Sequence, residues 1–394
     1  MRERVPRTLF RRPRRRLRAS AVQVVCASAG LAAGLILPGL PPTVALPTKD
    51  VTGALFTIGF GVLGLASLIF SLLFLVMQFA AGTFSLRLTL FRDDPIVWRT
   101  FAFAVGLFIY AITAALVVAH RGEVSLTVPV LAVLLALVAA LLMRTVQIRA
   151  FVSIQLAPCL NVINRRTRRV LDIVYTQPYQ DDSAREPLGP PSPASSVRRH
   201  GGPARLQEID VPALVSLAAH HDAVIVLRAP IGAQLFDGDL LADVHHHAIP
   251  ERLLLRHFRT GAERAFAQDT AFGFRLLADI ALRAVSVAIN DPVTAVQALD
   301  HAHDLLRRLV GKALDVGSVA DARGRIRLVI PLPTWEDYLH LAFDEVIAVT
   351  RSPMVQLRLR DLLRSLHEEA PPHRQDSIAA RLRLVEAGPA HEDR

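Results

Sequence analysis

Four long apolar runs dominate the first part of the chain, and after them the hydrophobic pattern breaks into short periodic stretches. Segment one runs from Ala19 to Leu40, with nothing charged between Arg18 and Lys49, and Pro38, Pro41 and Pro42 mark its end as helix breakers. Segment two runs from Val51 to Gly82 and stays uncharged to Leu86; segment three is Thr100–Ala119 and segment four Val124–Met143. At about 1.5 Å per helical residue, each is long enough to cross a hydrocarbon core of about 30 Å. Segment two exceeds what a span needs, so it is expected to tilt or to extend beyond the bilayer.

Charge sets the expected orientation. The net charge is +10, and the first 18 residues hold nine Arg against Glu3. The loop after segment one carries Lys49 and the loop after segment two carries Arg87, Arg92 and Arg99; the short third loop has Arg121 and Glu123. Segment four is followed by Arg144, Arg149, Arg165, Arg166, Arg168 and Arg169. Because short loops rich in Arg stay inside, both termini are expected in the cytoplasm with four crossings between them. An Arg-rich start, an apolar run and Ala45 also fit a secretory signal, whose cleavage would leave the other three orientations unchanged. The basic residues flank apolar segments instead of patching a folded domain, which argues against a nucleic-acid partner. A mean hydropathy of +0.36 agrees with a membrane class, and two cysteines, Cys26 and Cys159, are too few for a disulfide framework.

Segment two carries the candidate chemistry of the membrane part. Gly53, Gly59, Gly61 and Gly64 crowd its first half, and Ser67, Ser71, Gln78 and Ser85 recur near one helical stripe. Such a stripe can line a polar path, or it can pack helices closely and hydrogen-bond across them. No Asp, Glu, Lys, Arg or His lies inside the four segments, which argues against a proton-relay pump.

Beyond the membrane part, the helical pattern continues to Val174, its Arg residues expected against the anionic inner leaflet. The stretch 177–204, with Pro178, Pro187, Pro190, Pro191, Pro193 and Pro203, reads as a flexible linker. A mixed region follows: a strand at Leu206–Ile209, a helix capped by Asp210 with Pro212 in its first turn, and a strand at Ala223–Leu227. Ala233–Phe236 and Leu240–Val244, separated by Asp237-Gly238-Asp239, read as a small antiparallel unit. His245, His246 and His247 are adjacent, so they cannot all converge on one metal. His301, His303 and Asp304 do not share a helical face.

The densest stretch is Arg259–Leu309. Phe274, Leu277, Ala278, Ala281, Ala284, Val285 and Ala288 make one apolar helical face, while Arg275, Asp279 and Arg283 recur every fourth residue on another. Asn290 suits the left-handed conformation that ends a helix, Asp291 can cap the next one, and Pro292 fits its first turn. Arg259, Arg264, Asp269, Arg275, Asp279, Arg283, Asn290 and Asp291 are therefore candidates for a ligand-binding or interface corner; the same residues also make a salt-bridged structural corner. Farther on, Arg325–Ile330 reads as a strand and Thr334–Arg351 as an amphipathic helix with Trp335, Leu339, Phe343 and Ile347 inward; two more helices, Met354–His367 and Asp376–Ala387, follow. No Gly-x-Ser-x-Gly, Walker, His-Glu-x-x-His or Gly-x-Gly-x-x-Gly motif is present, so no catalytic, cofactor or metal residue is assigned.

Several strings resemble one family. Phe70-Ser71-Leu72, Gln78-Phe79-Ala80 and Phe84-Ser85-Leu86-Arg87 look like its second membrane helix, and the run from Arg283 to Ala295, with Asn290-Asp291-Pro292 at its centre, looks like its most characteristic motif. Gln268-Asp269, Phe272-Gly273 and Asp300 also match. The family is the bacterial membrane proteins grouped as domain of unknown function 2254, and the resemblance covers nearly the whole chain. Val287 and Leu86 stand where that family usually has proline. The resemblance implies a bacterial plasma-membrane protein and no particular activity.

The expected fold is thus an α-helical membrane protein: four transmembrane helices (19–148) after a basic N-terminus (1–18), then a juxtamembrane helix (149–176), the linker, a cytoplasmic, mainly helical α+β domain (205–387) and a frayed tail (388–394). The expected partners are the lipid bilayer and further copies of the chain. The functional expectation is a channel-like or transport-related homo-oligomer with a cytoplasmic gating or assembly domain. The alternative is a membrane-anchored regulatory or scaffold protein that takes a ligand or partner through that domain.

Overall fold

The uncharged runs form helices, since a chain without polar side chains satisfies its backbone within itself. The computed structural model describes residues 15–39, 45–83, 95–121, 123–154, 156–179 and 192–387. The basic stretch 1–14, Ser85, Leu86, part of the linker (180–191) and the tail 388–394 lie outside them. The described residues fall into two compact units, one within Arg12–Pro158 and one within Cys159–Arg394.

The first unit holds α1 (Arg15–Ile36), β1 (Ala45–Pro47), α2 (Thr48–Thr83), α3 (Pro95–Val118), β2 (Glu123–Ser125) and α4 (Thr127–Ile154). Four of these helices are long and apolar enough to cross a membrane, over Ala21–Gly39, Thr48–Leu75, Ile96–Val118 and Thr127–Arg149. α2 is 36 residues long, as the length of its apolar run requires. α1 meets α3 backbone to backbone. A Cβ on Gly30 would lie 3.0 Å from the Gly106 carbonyl carbon, one on Gly34 2.7 Å from the Thr113 Cβ, and one on Gly106 2.7 Å from the Cys26 carbonyl oxygen. Small residues four apart give this approach. The glycines of α2 behave differently: Gly59 meets Ala111, but Gly53, Gly61 and Gly64 have open space beside them.

Leu55, Leu107, Tyr110, Ala114, Val118, Val128 and Ala132 form the core between α2, α3 and α4. The Tyr110 hydroxyl donates to the Val128 carbonyl at 2.9 Å, tying α3 to α4. The connections α1–α2 and α3–α4 come together at one end, where β1 and β2 pair antiparallel (Ala45↔Ser125, Pro47↔Glu123). Arg121 donates to the Pro38 carbonyl at the same end.

The second unit begins with α5 (Leu156–Val174), whose Leu160, Ile163, Thr167, Val170 and Leu171 are buried. Then come β3 (Ser195–Arg198), β4 (Ala204–Ile209), α6 (Val211–His220), β5 (Val224–Leu227), β6 (Gln234–Leu235), β7 (Leu240–His245), α7 (Glu251–Leu255) and β8 (Phe258–Gly261). One sheet has the order β3-β7-β5-β10-β9 and the other β6-β4-β8. β9 (Ser318–Ala320) and β10 (Ile326–Val329) arrive late in the chain, and β10 joins β5 in parallel. α6 starts as expected: the Asp210 carboxylate accepts from the Ala213 amide at 3.2 Å. Its Val211, Leu214 and Ala218 pack with Ile225, Leu227, Val244 and Leu328 in the core between helix and sheet.

Two strands differ from what the sequence pattern predicts. β6 and β7 do not pair with one another: β6 bonds to β4 and β7 lies between β3 and β5, because the Asp237–Asp239 turn crosses from one sheet to the other. β3 lies inside the stretch read as linker, held to β7 by pairings such as Ser196↔Asp243.

The helical part comprises α8 (Phe272–Val285), α9 (Pro292–Leu309), α10 (Trp335–Leu339), α11 (Glu345–Val349), α12 (Pro353–Glu369) and α13 (Pro372–Ala387). Between α10 and α11, His340–Asp344 form a π turn. This wider turn shifts the inward face, so that Val346 is buried where strict periodicity points to Ile347. Buried Arg374 donates to the carbonyls of Leu309, Val310 and Lys312, closing the C-terminal end of α9.

Candidate functional site

The stripe on α2 faces outward. Ala66, Ile69 and Leu73 are its buried side, packed with Ala104, Met143 and Val146. Ser67, Ser71 and Gln78 are exposed on the other side, and Gly53 and Gly64 fall on the same outward stripe at helical spacing. Two hydroxyls on the apolar span, and an amide just beyond it on the same helix, thus point away from the chain's own helices.

The eight residues of the expected corner do not gather into one site. Arg259 lies on β8 and reaches Glu208 of β4 at 3.1 Å, half-exposed. Arg264 and Asp269 form a forked pair just before α8, Nε to Oδ2 and Nη2 to Oδ1 both at 2.7 Å, with the Asp269 side chain 1 % exposed. Burial pushes the Asp269 carboxyl above its ordinary value, and Arg264 and the amides of Ala271 and Phe272 pull it back. The guanidinium also lies 5.2 Å over the Phe272 ring. The turn at Gly232 packs directly on the pair: φ is 90°, and a Cβ there would lie 2.8 Å from the Arg264 Nε. Neighbouring Gln268 exchanges two hydrogen bonds with the Ile209 backbone, at 3.0 and 2.9 Å. This joint fastens the three-stranded sheet to α8, and both Asp269 oxygens and both ends of the Gln268 amide are engaged in it.

Arg275, one turn into α8, bonds Asp279 at 2.7 Å and forks onto Glu345 of α11. The guanidinium holds the Glu345 carboxyl below the usual carboxylate range. Arg283 is half-buried two turns beyond Arg275. Asn290 and Asp291 lie past the far end of α8, whose 14 residues span roughly 21 Å. Asn290 is left-handed, with φ 47°. Asp291 caps α9, accepting from the Thr294 amide at 3.1 Å and from its hydroxyl at 2.5 Å, and these bonds hold its carboxyl below the ordinary range. The corner is capped as its sequence predicts. What it presents outward is apolar: Val287 is fully exposed, Ile289 is 42 % and Val293 53 % exposed.

Other polar contacts were not legible from spacing. Arg168 of α5 donates from Nε to Asp304 at 2.9 Å, and Asn164 to the same carboxylate at 2.8 Å. At least this Arg of the second basic cluster is therefore engaged within the unit, while Arg165 and Arg169 are exposed. The Tyr338 hydroxyl donates to Thr270 at 2.7 Å and lies 2.9 Å from the Tyr175 hydroxyl, in a fully buried chain. Buried Arg327 bridges Asp321 at 2.9 Å and Asp222 at 2.8 Å. Among the described residues, no three His, Cys, Asp or Glu side chains are placed to hold a metal. In the His245–His247 run, His245 is buried in β7, His246 is left-handed, and His247 turns to the Asp222 carbonyl at 3.3 Å.

Comparison with known proteins matches residues 18–365 to the family described as "Predicted membrane protein (DUF2254)". The chain belongs to that family. The match runs through both units, from α1 into α12, and includes the Arg283–Ala295 string on which the resemblance rested. Among curated relatives, an uncharacterized protein of Mycobacterium bovis is 30 % identical over 363 residues, covering 85 % of this chain and 67 % of the relative. An uncharacterized protein of Mycobacterium tuberculosis H37Rv gives the same identity and coverage. No solved structure matches the chain. For this DUF2254 member, then, the established description is a predicted membrane protein of unknown function with four span-length apolar helices and a sheet-containing C-terminal unit.

Proposed function

We propose that the protein is a channel-like or transport-related homo-oligomer of the bacterial plasma membrane, multi-pass with both termini cytoplasmic. In this reading α2 of each copy contributes to a shared polar path, and the C-terminal unit gates or assembles it from the cytoplasm. The observation that carries it is the outward placement of Ser67, Ser71 and Gln78. Polar groups on a span favour a protein or water neighbour over hydrocarbon, and small residues let helices approach. The open space beside Gly53 and Gly64 is what a second helix would fill. The Arg-rich flanks of the spans support the orientation.

The test is ion flux through the purified full chain in liposomes, beside a Ser71→Leu/Gln78→Leu variant, with polar thiol labelling of Ser71→Cys and Gln78→Cys. Flux that the variant loses, together with labelling at both positions, is the expected result. Silence under voltage, osmotic stress and several ions, with no labelling, overturns the path and favours the anchored regulatory or scaffold alternative.

A further inference from the structure

The helices of the C-terminal unit share a direction. Asn164, Arg168 and Asp172 of α5 meet His301, Asp304 and Arg308 of α9 in ascending order, so α5 and α9 run parallel. Asp300 and Arg307 of α9 meet Arg358 and Glu369 of α12 in the same sense. The N-terminal ends of α5, α9 and α12 therefore lie at one end of the unit. The α8–α9 corner lies there too, because it leads into α9. So does the point where the chain enters the unit at Cys159, a few residues after the apolar helix α4.

This end is tipped with apolar side chains. Val287, Ala288, Ile289 and Val293 are all exposed, Val287 fully. The corner leaves few backbone donors stranded: the amides of Ser286, Ile289, Asn290 and Asp291 bond to the carbonyls of Arg283, Ser286, Ser286 and Ala284. Its one acid, Asp291, is engaged by Thr294. Arg351, in the turn before α12, is exposed at the same end. An exposed apolar tip on a tight, internally bonded turn, with a cation at the same end of the unit, matches the chemistry of the head-group boundary, where apolar side chains enter and Arg meets phosphate.

We propose that the α8–α9 corner is a membrane-interface tip: Val287, Ala288, Ile289 and Val293 enter the head-group/acyl boundary of a phospholipid bilayer at the end where the chain arrives from α4. The Asn290-Asp291-Pro292 sequence then serves to build the sharp turn that presents the tip, and Arg351 meets lipid phosphate. The proposal does not depend on α2 conducting anything.

The experiment is photo-crosslinking of the full chain in vesicles of phosphatidylcholine and phosphatidylglycerol. The crosslinker p-benzoylphenylalanine is placed at Val287 and, as a reference, at Phe236, an exposed side chain at the β6–β7 turn. The products are read by mass spectrometry. A phospholipid adduct at position 287, several-fold above that at 236, is expected. It should fall severalfold when the crosslinker sits at Val293 and Val287→Asp with Ile289→Asp is introduced, in protein whose size-exclusion profile and thermal unfolding are unchanged. A crosslinked dimer from position 287 would make the tip a contact between copies. Either that product, no adduct at all, or equal lipid adducts at 287 and 236 overturns the proposal.

Discussion

Gly273 of α8 lies against Thr167 of α5 so closely that a Cβ on the glycine would stand 2.7 Å from the threonine Cβ, and nearer still to its hydroxyl. Thr167 cannot turn aside freely, because its hydroxyl donates to the Ile163 carbonyl at 2.8 Å. Gly273→Ala should therefore force α5 and α8 apart and cost about 1–3 kcal/mol, as overpacked cores do. Thr167→Ala should recover part of that loss in the double variant. Chemical unfolding of the full chain in detergent, run as a double-mutant cycle, measures the coupling, and additive effects would refute a direct clash.

Arg264 and Arg259, two arginines of the corner expected from the sequence, should differ sharply when removed. Arg264→Ala strands the buried Asp269 carboxylate and should cost about 3–5 kcal/mol. Arg259→Ala removes a half-exposed pair with Glu208 and should cost no more than about 1 kcal/mol. Melting temperatures of the two variants, measured side by side, decide whether the Arg264 joint is structural in this sense.

Asp291→Ala should weaken the start of α9 by about 1 kcal/mol. The pH dependence has a definite sign. The Asp291 carboxyl is held below its ordinary value, by Thr294 first of all, so its contribution is fully present above the ordinary carboxylate range and is lost as pH falls through the depressed value. Glu345, held low by Arg275, acts in the same direction. Stability from these two groups should be flat through neutral pH and decline below about pH 4. Asp291→Asn keeps a capping side chain and should flatten part of the acid limb, which thermal melts across pH would show.

Glycines in the membrane unit should separate into two kinds. Gly30→Leu or Gly106→Leu should disrupt the α1–α3 contact and lower the yield of folded protein. Gly53→Leu or Gly64→Leu meets open space and should leave the single chain folded. On the proposed oligomer, the second pair should instead shift the assembly to a smaller species in light scattering; an unchanged mass would count against α2 as the contact.

What the sequence discloses here is what depends on neighbours along the chain. The uncharged runs found the four long helices, and Asn290, Asp291 and Pro292 foretold a left-handed stop and a capped start, since those preferences act within a few residues. Grouping Arg259 through Asp291 into one corner failed because the 14 residues of α8 separate Arg264 and Asp269 from Asn290 and Asp291. Glu208, Glu345 and Asp304, the partners of Arg259, Arg275 and Arg168, come from distant segments that no periodicity connects. The α2 glycines are the more crowded in sequence, whereas the close contact uses Gly30, Gly34 and Gly106, because packing selects a matching face and not a composition. The switch from β6 to β7 between sheets was hidden for a related reason: alternation shows which side of a strand is buried and not which sheet it joins.

The shared direction of α5, α9 and α12 has an electrostatic corollary. Each helix carries roughly half a positive charge at its N-terminus and half a negative charge at its C-terminus, and side-by-side parallel dipoles repel. These three helices therefore set partial positive charges at the end that bears Val287 and Arg351, where the C-terminus of α8 adds a partial negative one. On α9 the side chains are set against that field: Asp291 lies at its positive end, while Arg307 and Arg308 occupy its last turn. The ion pairs crossing between the helices hold together elements whose backbones push apart, so raising the ionic strength relaxes the repulsion and weakens the pairs at once. The unit's stability should consequently depend less on salt than the number of its surface ion pairs suggests.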